Sequence, residues 1–153
     1  MARIIRTGDR MTRPIELPSK HELMRACRGG GHDDHPLLRA ACELTALHEQ
    51  LSRLEPQRRD GPDENRAALV TGIDRWVRAR LPPAHASTTD RPPQSMGAVV
   101  DRIAEYTAVA FTALTRTDDW SLWDAWTNLE ELSAAYEELV ADLAAGRRRL
   151  PGA

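Results

Sequence analysis

The stretch PLLRAACELTALHEQL, residues 36–51, decides the fold class of this chain. Its inward-facing residues recur at steps of four and three, and they are Leu37, Ala41, Leu44, His48 and Leu51. This period is typical of an amphipathic helix that buries one face. Pro36 suits the first helical position, where the missing backbone N–H costs nothing. We therefore predict a helix from Pro36 to about Leu54.

The same period, interrupted by proline and glycine, predicts four more helices. The sequence SKHE, residues 19–22, has the form of a capping box, and Gly29 can end the short helix that follows. Longer helices are predicted over about residues 62–81, 95–115 and 118–146. In the helix predicted over residues 95–115, the apolar stripe extends to Phe111 and Leu114. Few segments alternate as strands do, so we expect an all-α, four-helix-bundle-like single domain with a short extra N-terminal helix.

Net charge and composition restrict the partners and the location. The chain has a formal net charge of −2 and a pI near 6.2, whereas a general nucleic-acid binder should present a basic face. We therefore expect no nucleic-acid partner. The sequence has neither the ~20-residue apolar run of a membrane span nor the apolar core of an export signal. These features predict a cytoplasmic protein without a membrane partner.

The predicted organisation has three parts. We expect residues 1–18 to form a flexible N-terminal segment, residues 19–146 the helical bundle domain, and residues 147–153 a basic C-terminal tail. The two cysteines, Cys27 and Cys42, match no zinc-binding spacing. They are expected to be reduced, small apolar residues within helices.

A cluster of histidines and aspartates precedes the helix at Pro36, within the stretch GGGHDDHPLL. Four consecutive loop residues cannot easily point at one metal ion, so a metal site would need further ligands from elsewhere. An N-terminal cap from Asp34 or His35 is the alternative, and it makes the stretch a joint between two helices. The weak candidates for metal binding are His32, Asp33, Asp34 and His35. No cofactor is predicted.

His48 is the polar residue on the apolar stripe of its helix, next to Glu49. It can be a buried acid–base or ligand-binding histidine. It can equally be a core histidine that hydrogen-bonds to a group from another helix. Three aspartates lie in or beside other helical stripes and could pair with it, although the sequence does not pair them. The weak catalytic candidates are therefore His48, Glu49, Asp74, Asp101 and Asp124.

Three tryptophans recur at steps of three, and each is turned by about 60° from the one before. We expect Trp123 and Trp126 to enter the core with Trp76, and Trp120 to cover the end of the bundle or a partner subunit. The neighbouring acidic residues exclude a stacking platform for nucleic acid. A ligand pocket lined by these rings stays open as an alternative.

Several segments together resemble a known family. They are HDDHPLLRAACELTALHEQ (32–50), IDRWV (73–77), MGAVVDRIA (96–104) and DAWTNLEELSAAYEELV (124–140). In these segments, and across most of residues 16–151, the chain resembles bacterial proteins with the domain of unknown function 4254, in the form typical of high-GC Gram-positive bacteria. The resemblance implies an all-helical domain. It implies no reaction, and it assigns no catalytic residue.

Three functions follow from these patterns. The wide apolar stripes and the tryptophans favour a binding or assembly module that forms homo-oligomers, most simply a homodimer. The alternative is an enzyme or a small-ligand-binding protein with an interhelical pocket around His48, in which a carboxylate lies within hydrogen-bonding reach. The third is a metal-binding bundle at residues 32–35. Whether the chain is an enzyme stays open at this point.

Overall fold

Five α-helices pack together in the computed structural model, which describes residues 17–30, 34–81 and 92–151. They are α1 (Lys20–Cys27), α2 (Pro36–Arg53), α3 (Asp60–Arg78), α4 (Met96–Thr115) and α5 (Asp119–Ala144). A 3-10 turn at Pro56–Arg58 joins α2 to α3. No strand occurs in the described ranges. The predicted all-α domain, with one short N-terminal helix and four longer ones, is confirmed.

Local side-chain chemistry sets the ends of the first two helices, as predicted. The Ser19 hydroxyl accepts from the Glu22 N–H at 3.1 Å, and the Glu22 carboxylate accepts from the Ser19 N–H at 3.3 Å. Gly29 ends α1 with φ at 92°, a conformation that glycine adopts without steric cost. His35 Nδ1 accepts from the Leu37 N–H at 3.2 Å and caps α2. The stretch before Pro36 is therefore a helix–helix joint in its described part.

Helix α4 lies at the centre of the domain, because it contacts each of the other four helices. Its residues Val100, Ile103 and Ala104 are fully buried. Side chains that are mostly small allow its neighbours to approach closely on several sides. A polar residue on its inward surface is consequently enclosed by several helices.

A close approach brings α4 against α3 at Gly97. A Cβ at this position would overlap the Val70 backbone, so only glycine fits. Asp74 of α3 accepts from the Ser95 hydroxyl at 2.5 Å and from the Gly97 N–H at 2.9 Å. Asp74 therefore helps to cap α4 and holds its first turn against α3.

Helix α5 covers α4 with a stripe of buried residues, which are Ala125, Leu129, Tyr136, Leu139 and Leu143. The Tyr136 hydroxyl donates to the Pro18 carbonyl oxygen at 2.6 Å and ties the start of the described chain to α5. Burial raises the pKa of Tyr136 well above its usual value. The phenol therefore remains a hydrogen-bond donor at neutral pH.

The prediction that Trp123 and Trp126 enter the core was wrong. Trp120, Trp123 and Trp126 are 72%, 61% and 47% exposed, respectively. At 100° per residue, Trp123 lies about 160° from the middle of the buried stripe of α5, so it points away from the core. Ala125 occupies the inward position instead, where its small size suits the contact with α4. Trp76 is half-buried and packs against the core, as predicted.

Two residues of the predicted α4 stripe, Phe111 and Leu114, are also more exposed than expected, at 37% and 55%. Leu114 lies in the same angular position on α4 as the buried Met96, eighteen residues earlier. Ala110 and Ala113 in the same turns are buried, so neighbouring helices cover the end of α4 at these positions and not at Leu114. The apolar stripe was predicted from its period, but the length over which neighbours cover it depends on the packing.

The segment after α5 folds back onto the domain. The Asp142 carboxylate is buried and pairs with Arg147 at 3.1 Å and with Arg148 at 3.3 Å. Leu150 is only 3% exposed and belongs to the core. Within the expected basic tail, Arg148 and Leu150 are therefore packed against the domain, whereas Arg147, Arg149 and Pro151 are exposed. Of the expected N-terminal segment, residues 1–16 lie outside the described part of the chain.

Both cysteines are free thiols, as expected from the sequence. Burial raises the pKa of the Cys27 thiol to about 11, so it stays protonated at neutral pH and is a poor nucleophile. Within the described ranges, none of the helices is both long and apolar enough to cross a membrane.

The close contact at Gly97 predicts opposite effects for two glycine substitutions. Gly97→Ala should lower the free energy of unfolding by about 2 kcal/mol, because the new methyl group forces α4 away from α3. Gly72→Ala, inside α3 with open space around it, should raise that free energy by about 1 kcal/mol through helix propensity. Urea denaturation followed by circular dichroism measures both. Equal effects of the two variants would contradict the close contact.

Candidate functional site

A buried histidine–aspartate pair joins α2 to α4. His48 Nε2 lies 2.7 Å from Asp101 Oδ1, and both side chains are almost completely enclosed. The two residues are 53 positions apart in the chain. Each lies on the inward side of its helix, so packing the two apolar stripes together brings the two polar groups into contact.

Arg66 of α3 completes the arrangement. Its Nη1 donates to Asp101 Oδ2 at 2.7 Å, so both oxygens of the carboxylate have a partner. Its Nε lies 3.5 Å from Asp63 Oδ1, one turn earlier on the same helix. We call His48, Asp101 and Arg66 the polar triad. It connects α2, α3 and α4 at one point.

The charges of the triad follow from its geometry. Burial alone would raise the pKa of Asp101, but its hydrogen bonds to His48 and Arg66 and the positive charge of Arg66 hold that pKa below its usual value. Burial alone would lower the pKa of Arg66, and Asp101 raises it instead. The carboxylate is therefore ionised at neutral pH and can only accept hydrogen bonds.

This charge state determines the tautomer of His48. Because the ionised Asp101 carboxylate can only accept, Nε2 of His48 must be the donor, and in the neutral form of the ring its single proton is therefore on Nε2. The Nδ1 atom then carries a lone pair that can accept a hydrogen bond or a proton. The described chain gives this ring no polar partner besides Asp101.

A pocket of about 450 Å³ opens beside His48, between α2, α3, α4 and the first turn of α5. Apolar residues form part of its wall, namely Leu51, Ala108, Val109 and Ala113. Hydroxyl groups come from Ser52, Thr112 and Ser121. Charged side chains of both signs complete it, and they are Arg59, Asp63, Arg66, Glu105, Arg116 and Asp118.

Two of the pocket hydroxyls already have hydrogen-bond acceptors. Ser52 Oγ donates to the Glu49 carbonyl oxygen at 2.7 Å, and Ser121 Oγ donates to Asp118 Oδ2 at 2.7 Å. Within the described ranges no serine or threonine hydroxyl is bonded to His48. The site therefore lacks the serine–histidine pair that activates a nucleophilic hydroxyl.

Of the three aspartates considered from the sequence, Asp101 is the one that the fold brings to His48. Asp74 instead accepts from the N-terminus of α4. Asp124 is exposed on the outer side of α5. Glu49 follows His48 in α2, and no hydrogen bond from its carboxylate to the imidazole lies in the described structure.

The residues of the predicted metal cluster are not brought together with other ligands in the part of the chain that can be described. His35 uses Nδ1 to cap α2, and its ring lies 4.9 Å from that of Trp76. Asp34 is exposed, while His32 and Asp33 lie outside the described residues. Among the described residues, no group of three metal-ligating side chains occurs.

Arg66 is the member of the triad that sequence reasoning missed. An arginine in the polar part of a helix is usually solvated, so its charge alone gave no reason to select it. Its spacing gives a usable signal, because Leu69, Val70 and Ile73 follow at three, four and seven residues. Arg66 thus lies on the same side of α3 as its apolar residues. A charged side chain on the inward side of a helix indicates a buried partner of opposite charge.

The triad predicts a pH-dependent loss of stability in the variant Asp101→Asn. At pH 7 this variant should unfold with a free energy lower by about 2 kcal/mol, because asparagine lacks the negative charge and keeps only one of the two acceptor oxygens. The lowered pKa of Asp101 means that the stabilisation is present above about pH 4 and disappears as the pH falls through the folded-state value. Urea denaturation at pH 7 and at pH 3 should therefore show a gap in unfolding free energy between wild type and variant that narrows in acid.

The exposed Asp124 offers a matched control. Asp124→Asn should change the free energy of unfolding by less than about 0.5 kcal/mol at either pH. A gap for Asp101→Asn that stays constant with pH would contradict an ionised Asp101 in the folded state.

Comparisons with known proteins add no further identification. The chain matches no protein-family model, no curated protein and no solved structure. Its resemblance to the bacterial family stays a prediction from the sequence. What the site can do is consequently argued from its own geometry.

Proposed function

We propose that this protein binds a small molecule in the pocket beside His48. The observation that carries the proposal is the His48 imidazole in the pocket wall, where Asp101 holds its Nε2 and the described chain gives its Nδ1 no hydrogen-bond partner. A pocket of about 450 Å³ is within the usual range for small-molecule sites. Apolar walls with a few fixed polar groups are also typical of such sites.

The energetic cost of the triad supports this proposal. Removing charged groups from water is expensive, and well-packed apolar residues often give equal or greater stability. Three helices nevertheless place their polar side chains together at the edge of a pocket. A requirement to orient His48 toward a ligand explains this arrangement better than stability does.

The geometry also indicates the chemistry of the ligand. It should present a hydroxyl or N–H group to His48 Nδ1 and an apolar surface to Leu51 and Ala108. The charged residues that line the pocket are three arginines and three carboxylates, so overall charge is a poor basis for selection. Selectivity would come from hydrogen bonds in fixed positions.

The same pocket could also catalyse a reaction of the bound molecule. His48 Nδ1 would take a proton from a bound O–H or N–H group, and the Asp101 carboxylate would stabilise the resulting imidazolium. Arg66 would keep Asp101 ionised and in place. Turnover of a bound compound by wild type, together with its loss in His48→Gln, would distinguish this form from binding alone.

A pocket-blocking variant tests the proposal. Compounds from a fragment library that bind the full-length chain by ligand-observed NMR should lose binding to Thr112→Phe, which fills the pocket from α4. Ala98→Phe places the same ring on an exposed position of α4 and should bind as wild type does. Some of these compounds should also shift the ring signals of His48.

Two results would refute the proposal. Fragments that bind Thr112→Phe as well as wild type would locate binding elsewhere on the surface. A library without a single compound that discriminates the two phenylalanine variants would show that the pocket is not a ligand site.

A binding or assembly module is the second candidate, and the three exposed tryptophans favour it. They lie together on α5, and the rings of Trp120 and Trp123 stack at 5.6 Å. Exposed aromatic clusters of this kind mark interaction surfaces. The nature of the partner depends on the residues that surround these rings.

A further inference from the structure

The outer side of α5 combines aromatic and acidic residues on one surface. We call it the Trp–acid face, and it comprises Asp119, Trp120, Trp123, Asp124, Trp126, Glu130 and Glu131, all exposed. At 100° per residue these positions fall within a sector of about 160°. The middle of that sector lies opposite the buried stripe of the helix. The face is therefore a continuous feature of the helix surface.

Within the described ranges, the carboxylates of this face have no basic partner. Helix α5 has no lysine, arginine or histidine over its 26 residues. The four carboxylates of the Trp–acid face form no ion pair within the described structure. The nearest basic contact along the helix is Lys20, which pairs with Glu137 at 3.3 Å, beyond the end of the face.

The size of the aromatic surface limits what can cover it. A buried tryptophan removes 150–250 Å² from water, so these partly exposed rings offer roughly 400 Å². A standard interface between folded proteins covers about 800 Å² on each partner. The exposed rings alone thus fit a single segment of chain better than a second globular surface.

Charge also argues against a second copy of this chain as the occupant. A two-fold contact through this face would bring the same carboxylates of the two copies toward each other. Like charges close together in an interface cost binding energy. A partner with lysine or arginine would instead neutralise the carboxylates, and its cations could stack on the indole rings.

We infer that the Trp–acid face docks a basic, amphipathic segment of another protein. The face runs for about 18 Å from Asp119 to Glu131, which is the length of a three-turn helix. Apolar side chains of that helix would cover the tryptophans, and basic ones would pair with Asp124, Glu130 and Glu131. The inference rests on the second candidate function and is independent of the pocket.

Synthetic peptides provide the test on the full-length chain. The first probe is an 18-residue amphipathic helix with leucines on one face and lysines on the other, and its match carries glutamates in place of lysines. By calorimetry the lysine peptide should bind with one-to-one stoichiometry, and the glutamate peptide should not bind. Added salt should weaken the binding, because ion pairs on a surface are screened.

Surface variants locate the binding site. Trp123→Ser and the double variant Glu130→Lys/Glu131→Lys should each weaken lysine-peptide binding by roughly ten-fold or more. Glu64→Lys reverses an exposed carboxylate on α3 and should bind as wild type does. Circular dichroism checks that each variant keeps its helices. Thr112→Phe should bind the peptide normally, so a failure of the pocket proposal leaves this result unchanged.

Three outcomes would overturn the inference. If both peptides bind equally, the face binds through its apolar rings alone, and its carboxylates do not select a basic partner. Absence of lysine-peptide binding would remove the docking role. A dimeric mass by light scattering in wild type, together with a monomeric mass in Trp123→Ser, would make a second copy the occupant.

Discussion

The Asp101 carboxylate is the group on which the arrangement of the central helices depends. It accepts from His48 of α2 with one oxygen and from Arg66 of α3 with the other. Because Asp101 itself belongs to α4, one side chain connects three helices. The direction of the hydrogen bond to His48 also follows from this carboxylate, since an ionised oxygen can only accept. The chemistry available in the pocket is thus a consequence of how the helices pack.

Small residues make this convergence possible. Gly97 lets α4 approach the α3 backbone. Asp74 of α3 holds the same two helices together, because its carboxylate accepts from the Gly97 N–H. Alanines at Ala104, Ala108 and Ala113 keep α4 narrow where other helices cross it. A wider α4 would separate Asp101 from its partners, so packing and polar contacts support the same geometry.

Much of the fold was predictable from the sequence, because its signals are local. The capping box at Ser19, the cap at His35 and the glycine at Gly29 act within one turn of the residues concerned. The choice of Asp101 over Asp74 and Asp124 was not predictable, since it depends on how α2 and α4 cross. The tryptophans were misplaced for the same reason. The spacing of apolar residues identifies the apolar side of a helix. Which tryptophan rings are covered depends on the helices that pack against it.

The long separation between His48 and Asp101 has a consequence for unfolding. A contact between residues 53 positions apart closes a large loop, and it exists only while α2, α3 and α4 are assembled. Helices that persist in a loosened bundle would retain their hydrogen bonds without forming the pocket. A compound bound beside His48 would therefore resist global unfolding of the domain and would have little influence on the fraying of single helices. Its thermodynamic signature would be a shift of the cooperative transition and not a change in helix content.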